Sequence, residues 1–249
     1  MRRAASLLSR IYVPDALASG SVVSVPPAAA HHLSRVLRAA VGDDVVVFND
    51  GVEYAATIIR IDKNHIAVKL AAGNPVDRET PLACLLAQAV SSGERMDITL
   101  QKAVELGVKT VQPLFSERSV VRLAAERAEK RVAHWRQVMV AACEQCGRNV
   151  IPELAVPLPF TDWLAKLGPA SDGQLRILLS PQAAMRPADL PRPAAVTLLA
   201  GPEGGFNQAE TALAQRYGFV ALKLGPRVLR TETAALAALA AINVLWGDF

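Results

Sequence analysis

Three short segments of this 249-residue chain carry the residue types that hold a small, partly apolar ligand. The first is Ser180-Pro181. The second is Gly201-Pro202-Glu203-Gly204-Gly205. The third runs Leu224-Gly225-Pro226-Arg227-Val228-Leu229-Arg230-Thr231-Glu232-Thr233. Each follows a short apolar run of the kind that forms a strand. In an open parallel sheet ligands bind outside the carboxyl ends of the strands, so three such loops converge on one pocket. Glycines let backbone approach a ligand and leave amide and carbonyl groups free to bond it. Asn207 followed by Glu210 is a capping-box pattern, which places a helix start directly after the second loop. Taken singly, each segment is an ordinary glycine- and proline-containing turn. The spacing excludes the better-known phosphate binders, because Gly201-x-x-Gly204-Gly205 is not G-x-G-x-x-G and no Gly-Lys-Ser/Thr occurs.

Other reactive residue types weigh less. Cys143 and Cys146 have C-x-x-C spacing but no second pair and no histidine cluster, which argues against zinc or redox chemistry. His31 and His32 are adjacent, so they face different sides of a helix, one expected to pack and one to meet solvent. The series Arg118, Arg122, Arg127 and Arg131 is either a phosphate-binding face or a solvated helix surface, with Glu117, Glu126 and Glu129 diluting its charge.

The elements that must position the three loops follow from patterning. Residues 1 to about 70 read as mostly β, with strands at Ser21–Val25, Asp44–Phe48, Glu53–Ile61 and His65–Leu70 separated by turn signals. One helix, His31–Ala40, interrupts them, with Leu33, Val36 and Leu37 on one face and Arg35 and Arg38 off it. Short strands around one helix suggest a small barrel. Ala72 through Pro81 reads as a linker. Beyond it strands and helices alternate: strand Leu82–Val90, helix Glu94–Leu106 stopped by Gly107, strand Thr110–Phe115 and helix Leu123–Cys146. Strands Arg176–Leu179, Ala195–Ala200 and Phe219–Leu224 follow, and an alanine-rich helix begins after Thr231. This grammar predicts a parallel sheet covered by helices on both faces.

Bulk composition sets the bounds. The chain is 51% hydrophobic, ample for a core, and carries a net charge of +4, compatible with an RNA partner. The apolar run AALAALAAINVLW is short for a bilayer span and reads as a buried helix. The N-terminal MRRAASLLSRIYV is broken by Arg10 and has no small-residue cleavage site. Three cysteines, an odd number, predict a reduced, cytoplasmic protein.

At family level, LLAGPEGGFNQAE and LGPRVLRTETAALAAL resemble the C-terminal signature of the SPOUT-class small-subunit ribosomal RNA methyltransferase E family, which acts on N3 of a uridine in 16S ribosomal RNA. HHLSRVLRAAVGDDVVVFNDG is similar to that family's N-terminal RNA-binding block. DITLQKAVELGVKTVQPLFSERSV and WRQVMVAACEQCGRNVIPEL are similar to its central segments, in the same order and spacing. The resemblance implies an α/β fold with a PUA-like β-barrel over residues 1–72, a linker over 73–80, and a trefoil-knotted SPOUT methyltransferase domain over 81–249. It implies a homodimer, S-adenosyl-L-methionine (SAM) as methyl donor, and 16S ribosomal RNA or the small subunit as partner. The implied SAM pocket is Leu179, Gly201, Pro202, Glu203, Gly204, Leu224, Gly225 and Leu229, with His32, Arg35 and Arg38 on RNA. On this reading Gly204→Val places bulk where backbone must approach SAM.

Uracil N3 carries a proton at neutral pH and is a poor nucleophile until it leaves. Methylation there needs a base and a group that stabilises negative charge on the ring, but no metal. Arg230 or Arg227 suits the charge, Arg230 preferred. Glu203 or Glu232 suits the base if desolvation raises its pKa. The structural alternatives are that the glutamates favour helix dipoles and the arginines tether loops. Rival functions are ribose 2′-O-methylation of another RNA, a non-catalytic RNA-binding protein, and a nucleotide-dependent enzyme of small molecules.

Overall fold

The computed structural model describes residues 8–62, 65–119 and 125–249, with the side chains of 125–127 excepted. The chain divides into two compact units, residues 1–79 with 143–151 and residues 80–142 with 152–249.

The first unit is built on β1 (Arg10–Tyr12), β2 (Val22–Ser24), β3 (Asp44–Asn49), β4 (Val52–Asp62) and β5 (His65–Pro75), in the sheet order β1-β3-β4-β5-β2. Only β1 runs parallel to its neighbour. Alternation along β4 buries Tyr54, Ala56 and Ile58 on one face, as a pleated strand with period two requires. They join Val47, Val68 and Leu70 in a core closed by Ile11, Val13 and Leu33. The expected linker is partly strand: β5 continues to Pro75, and the Val76 N–H donates to Gly51 O at 3.0 Å.

The helix expected over His31–Ala40 is shifted four residues toward the N-terminus and overlaps the expected range only over 31–36. An α-turn, α1 (Pro27–His31), starts at Pro27 and passes into a π-helical turn, His32–Val36. Leu37 N–H donates to His32 O and Ala39 N–H to Leu33 O, so the turn widens and unwinds. Arg38 then takes a left-handed φ of 52°. Only Leu33 of the supposed apolar face is buried, while Val36 and Leu37 are exposed at 62% and 45%. Both His31 and His32 are exposed, against the expectation that one packs.

The second unit is a parallel sheet of β6 (Ala83–Ala89), β7 (Thr110–Phe115), β8 (Glu153–Leu154), β9 (Leu158–Pro159), β10 (Gln174–Leu179), β11 (Ala195–Ala200) and β12 (Phe219–Leu222). The order is β12-β10-β11-β6-β7-β8, with β9 also on β7. Its helices are α2 (Glu94–Glu105), α3 (Ala125–Cys146), α4 (Phe160–Leu167), α5 (Gln208–Arg216) and α6 (Thr231–Trp246). The last turn of α3 belongs to the first unit. Leu199 and Leu178 pack with Phe160, Trp163 and Leu164 of α4 and Ala214 of α5. Their sequence neighbours Leu198 and Ile177 are also buried, so both faces of the sheet are covered. Helix α6 packs on α2 and touches β11.

Patterning missed β1, β8, β9 and α4, and β12 stops two residues before Leu224. The start of the long helix at Leu123, Arg122, and the side chains of Glu126 and Arg127 lie outside the described residues. The first unit also takes in 143–151, which the sequence reading assigned to the second. Arg148 explains this: 4% exposed, it donates from Nε to Glu79 Oε1 at 2.9 Å and from Nη2 to the other carboxylate oxygen. Asn149 Nδ2 donates to Val76 O at 3.0 Å. A charge desolvated in this way stays buried only with its partner.

Candidate active site

The carboxyl ends of β10, β11 and β12 surround a cavity of about 440 Å³, within the range of small-molecule sites. Its walls are Leu179 to Gln182 after β10, Gly201 to Phe206 after β11, and Leu224 with Arg227 to Glu232 after β12. The three loops singled out in the sequence therefore meet.

Local bonding explains why each loop stays in place. Asn207 caps α5: its Oδ1 accepts from Glu210 N–H at 2.7 Å, and Asn207 N–H donates back to Glu210 Oε2 at 2.9 Å. That reciprocal pair satisfies helix-end donors and anchors the Gly201–Phe206 loop. Glu210 Oε1 also accepts from Glu117 N–H at 2.9 Å, which ties in the loop after β7. At the cavity floor, Thr231 Oγ1 donates to Gly201 O at 2.5 Å. The fully buried Gln88, near the end of β6, donates from Nε2 to Thr231 Oγ1 at 3.1 Å and to Ala89 O at 2.9 Å. One carboxamide thus holds the start of α6 against the ends of β6 and β11.

Leu179, Gly201, Pro202, Glu203, Gly204, Leu224 and Leu229 line the cavity, as do Arg227, Arg230 and Glu232. Gly225 is not among the lining residues. With φ at 70° it makes the left-handed turn ahead of Pro226, a conformation that favours glycine. His32, Arg35 and Arg38 lie in the first unit, all exposed.

Glu203 does not meet the condition set for a base. Partial burial pushes its carboxyl up, but hydrogen bonds from Ser92 N–H, from Ser92 Oγ and from the Arg95 guanidinium win, bringing it down to about 2. The three donors lie at 2.9, 2.8 and 2.9 Å. A group with a depressed pKa contributes stability above its ordinary value of 4.5 and loses it as pH falls through about 2. At neutral pH Glu203 is a fixed anion that fastens the β11 loop to the start of α2.

Sequence reasoning overlooked Arg95 and Arg118 on the cavity wall. Arg118 was taken as one of a helical series, yet it precedes α3, in the loop after β7, and donates from Nη1 to Gly204 O at 3.0 Å. Its place just beyond a strand's carboxyl end was the available signal. A Cβ on Gly204 would sit 3.3 Å from the Arg118 stem, so this glycine makes room for an arginine.

Arg227 and Arg230 make no side-chain hydrogen bond or ion pair among the described residues; the loop's anchor is the neighbouring Thr231. The reading of Arg230 as a loop tether accordingly loses its basis. Cys143 is buried, and that burial pushes its thiol up to about 12, which leaves it unreactive at neutral pH.

Comparison with known proteins divides the chain near residue 78, and it places residues 143–151 with the C-terminal match, not the N-terminal one. Residues 78–243 match the family described as RNA methyltransferase domain, and residues 25–71 match RNA methyltransferase PUA domain. The sequence is 35% identical over 97% of its length to ribosomal RNA small subunit methyltransferase E of Buchnera aphidicola, covering 98% of that protein. The structure is similar, with TM-score 0.92 and 40% identity, to a Legionella pneumophila protein solved with bound SAM. The match covers 97% of this chain and 99% of that one. It is also similar, with TM-score 0.88 and 38% identity over the same shares, to ribosomal RNA small subunit methyltransferase E of Neisseria gonorrhoeae bound to SAM.

Proposed function

Because the chain belongs to the RNA methyltransferase family that includes ribosomal RNA small subunit methyltransferase E, we propose that it methylates N3 of a uridine in 16S ribosomal RNA, using SAM. The observation that carries this reading is the cavity at the three strand ends. It offers leucine side chains and glycine-loop backbone to an adenosyl group and unpaired guanidinium groups to an electron-rich base. Leu179, Gly201, Pro202, Gly204, Leu224 and Leu229 would hold SAM, which supplies an electrophilic methyl on a sulfonium. Glu203 keeps their loop closed. Gly225 shapes the turn instead of touching the ligand.

Arg230 meets the negative charge that develops on the uracil carbonyl oxygens, with Arg227 in the same cavity lining. Mass mapping of 16S ribosomal RNA from a strain lacking this chain, with and without complementation, tests the function. N3-methyluridine should vanish at one position and return on complementation. A 2′-O-methyl change instead would favour the ribose-directed alternative.

The five strands of the first unit form the PUA-like barrel, and its π-helical turn and the residues just after it grip RNA through His32, Arg35 and Arg38. Such contacts position the substrate and make affinity fall with salt. Replacing both arginines with alanine should weaken binding to the small subunit. It should lower the salt slope by about 1.4–1.8, at roughly 0.7–0.9 per phosphate contact. SAM affinity should not change. A double mutant that binds the subunit like wild type would remove this role.

The trefoil knot is supported by the path of the chain after β12. It leaves the sheet edge and returns to set Thr231 against Gly201 and Gln88, at the ends of β11 and β6. The protein works as a homodimer in the cytoplasm beside its substrate. Val244, Leu245 and Phe249 at the C-terminal end are exposed at 65%, 41% and 64%, apolar surface that a second copy would cover. Light scattering at micromolar concentration should give twice the chain mass, and a monomer mass would count against the dimer. Among the described residues no helix is long and apolar enough to cross a membrane.

A further inference from the structure

Glu232 is the second residue of α6, two positions after Arg230, and it lines the same cavity. Its Oε2 is buried and accepts no hydrogen bond among the described residues. The other charged side chains on the described cavity wall are Arg95, Arg118, Glu203, Arg227 and Arg230. Arg95 and Glu203 are paired, and Arg118 holds Gly204. That leaves one carboxylate and two guanidinium groups on one wall, unpaired with each other. A carboxylate oxygen removed from water without a donor is costly. Its persistence in a cavity whose lining also carries two guanidinium groups without a side-chain partner points to a group that binds among them.

The N3 edge of uracil presents carbonyl, N–H, carbonyl: acceptor, donor, acceptor. Its complement is donor, acceptor, donor, which guanidinium, carboxylate and guanidinium supply. Resting on the reading that this cavity methylates uridine N3, we propose that Glu232 is the catalytic base that takes the N3 proton. The N3–H bond breaks, the proton passes to the Glu232 carboxylate, and the electron pair stays on the ring. The resulting charge spreads to the two carbonyl oxygens, beside Arg227 and Arg230. That pair then forms the N3–carbon bond as the methyl–sulfur bond breaks, leaving a neutral thioether. Glu232 afterwards releases its proton to solvent. Glu203 cannot take this part, because its carboxylate is already engaged by three donors.

Glu232→Gln tests this, being nearly isosteric and still able to accept from N3–H through its amide oxygen. SAM affinity by calorimetry and affinity for the small subunit should match wild type. Single-turnover methylation at neutral pH should fall by about 10²- to 10⁴-fold, the usual worth of a general base. The deficit should shrink as pH rises, because hydroxide then removes the proton. It should shrink also with 5-fluorouridine at the target position, whose N3–H is more acidic. A variant as fast as wild type overturns the proposal. So does a constant deficit across pH and with 5-fluorouridine, or a loss of SAM affinity, which would make Glu232 a cofactor-holding residue. Failure of the functional reading looks different: wild type itself would then leave no N3-methyluridine in digested ribosomal RNA.

Discussion

Arg230→Ala should slow methyl transfer by about 10²- to 10³-fold at saturating SAM and RNA, the cost of deleting one donor to a developing oxyanion. The argument is geometric. Arg230 caps α6, lines the cavity, and has no side-chain partner among the described residues. The hydrogen bonds that hold its loop belong to Thr231 and Gln88. Removing the guanidinium should leave α6, the Gly201 loop and SAM affinity in place. Single-turnover kinetics with saturating substrates read the rate, and calorimetry reads the affinity. If SAM binding falls and the rate at saturation does not, Arg230 serves the cofactor, and the assignment to the uracil charge fails. Arg230→Lys should restore only part of the rate, because an ammonium lacks the planar fork that meets a carbonyl edge.

Arg148→Ala should destabilise the first unit by about 3–5 kcal/mol, the usual cost of stranding one member of a buried ion pair. Arg148 is almost fully buried and makes a two-point contact with Glu79, whose side chain is 18% exposed. The truncation leaves a desolvated carboxylate and a gap at the end of α3. Adding Glu79→Gln should recover part of the loss, since no uncompensated charge then remains. Urea unfolding followed by a probe in the first unit measures both. A loss below about 1 kcal/mol would place this pair with exposed ion pairs of little worth. SAM affinity should be retained, because the cavity is lined entirely by the other unit.

Much of the second unit was legible because its strands are short apolar runs and its helices carry local punctuation. Gly107 ends α2, and Asn207 with Glu210 starts α5. What escaped had different causes. Strands of two or three residues, such as β1, β8 and β9, exist through hydrogen bonds to a neighbour and have no period of their own. Helix α4 was readable, with Phe160, Trp163, Leu164 and Leu167 at helical spacing between Pro159 and Gly168, and was simply passed over. The helix expected at His31–Ala40 failed because Leu33, Val36 and Leu37 fit a 3.6-residue period. The backbone instead widens to a π-turn and turns left-handed at Arg38. Periodicity describes a helix once it forms and does not fix where it unwinds.

The candidate site divides in the same way. Residue types alone determined that three loops at strand ends would converge, because glycine placement, capping and strand alternation are local properties. The family was legible only as a resemblance, carried by four ordered blocks. Tertiary structure decided which charges are free. Glu203 and Glu232 are equivalent on paper. Folding brings three donors to Glu203 and none to one oxygen of Glu232, so one is locked as an anion and the other is left without a donor. It likewise gave Arg118 a carbonyl to hold and left Arg230 without one. A side chain's charge is written in its residue type, but its partner is set by elements 86 to 111 positions away, and no local pattern encodes that distance.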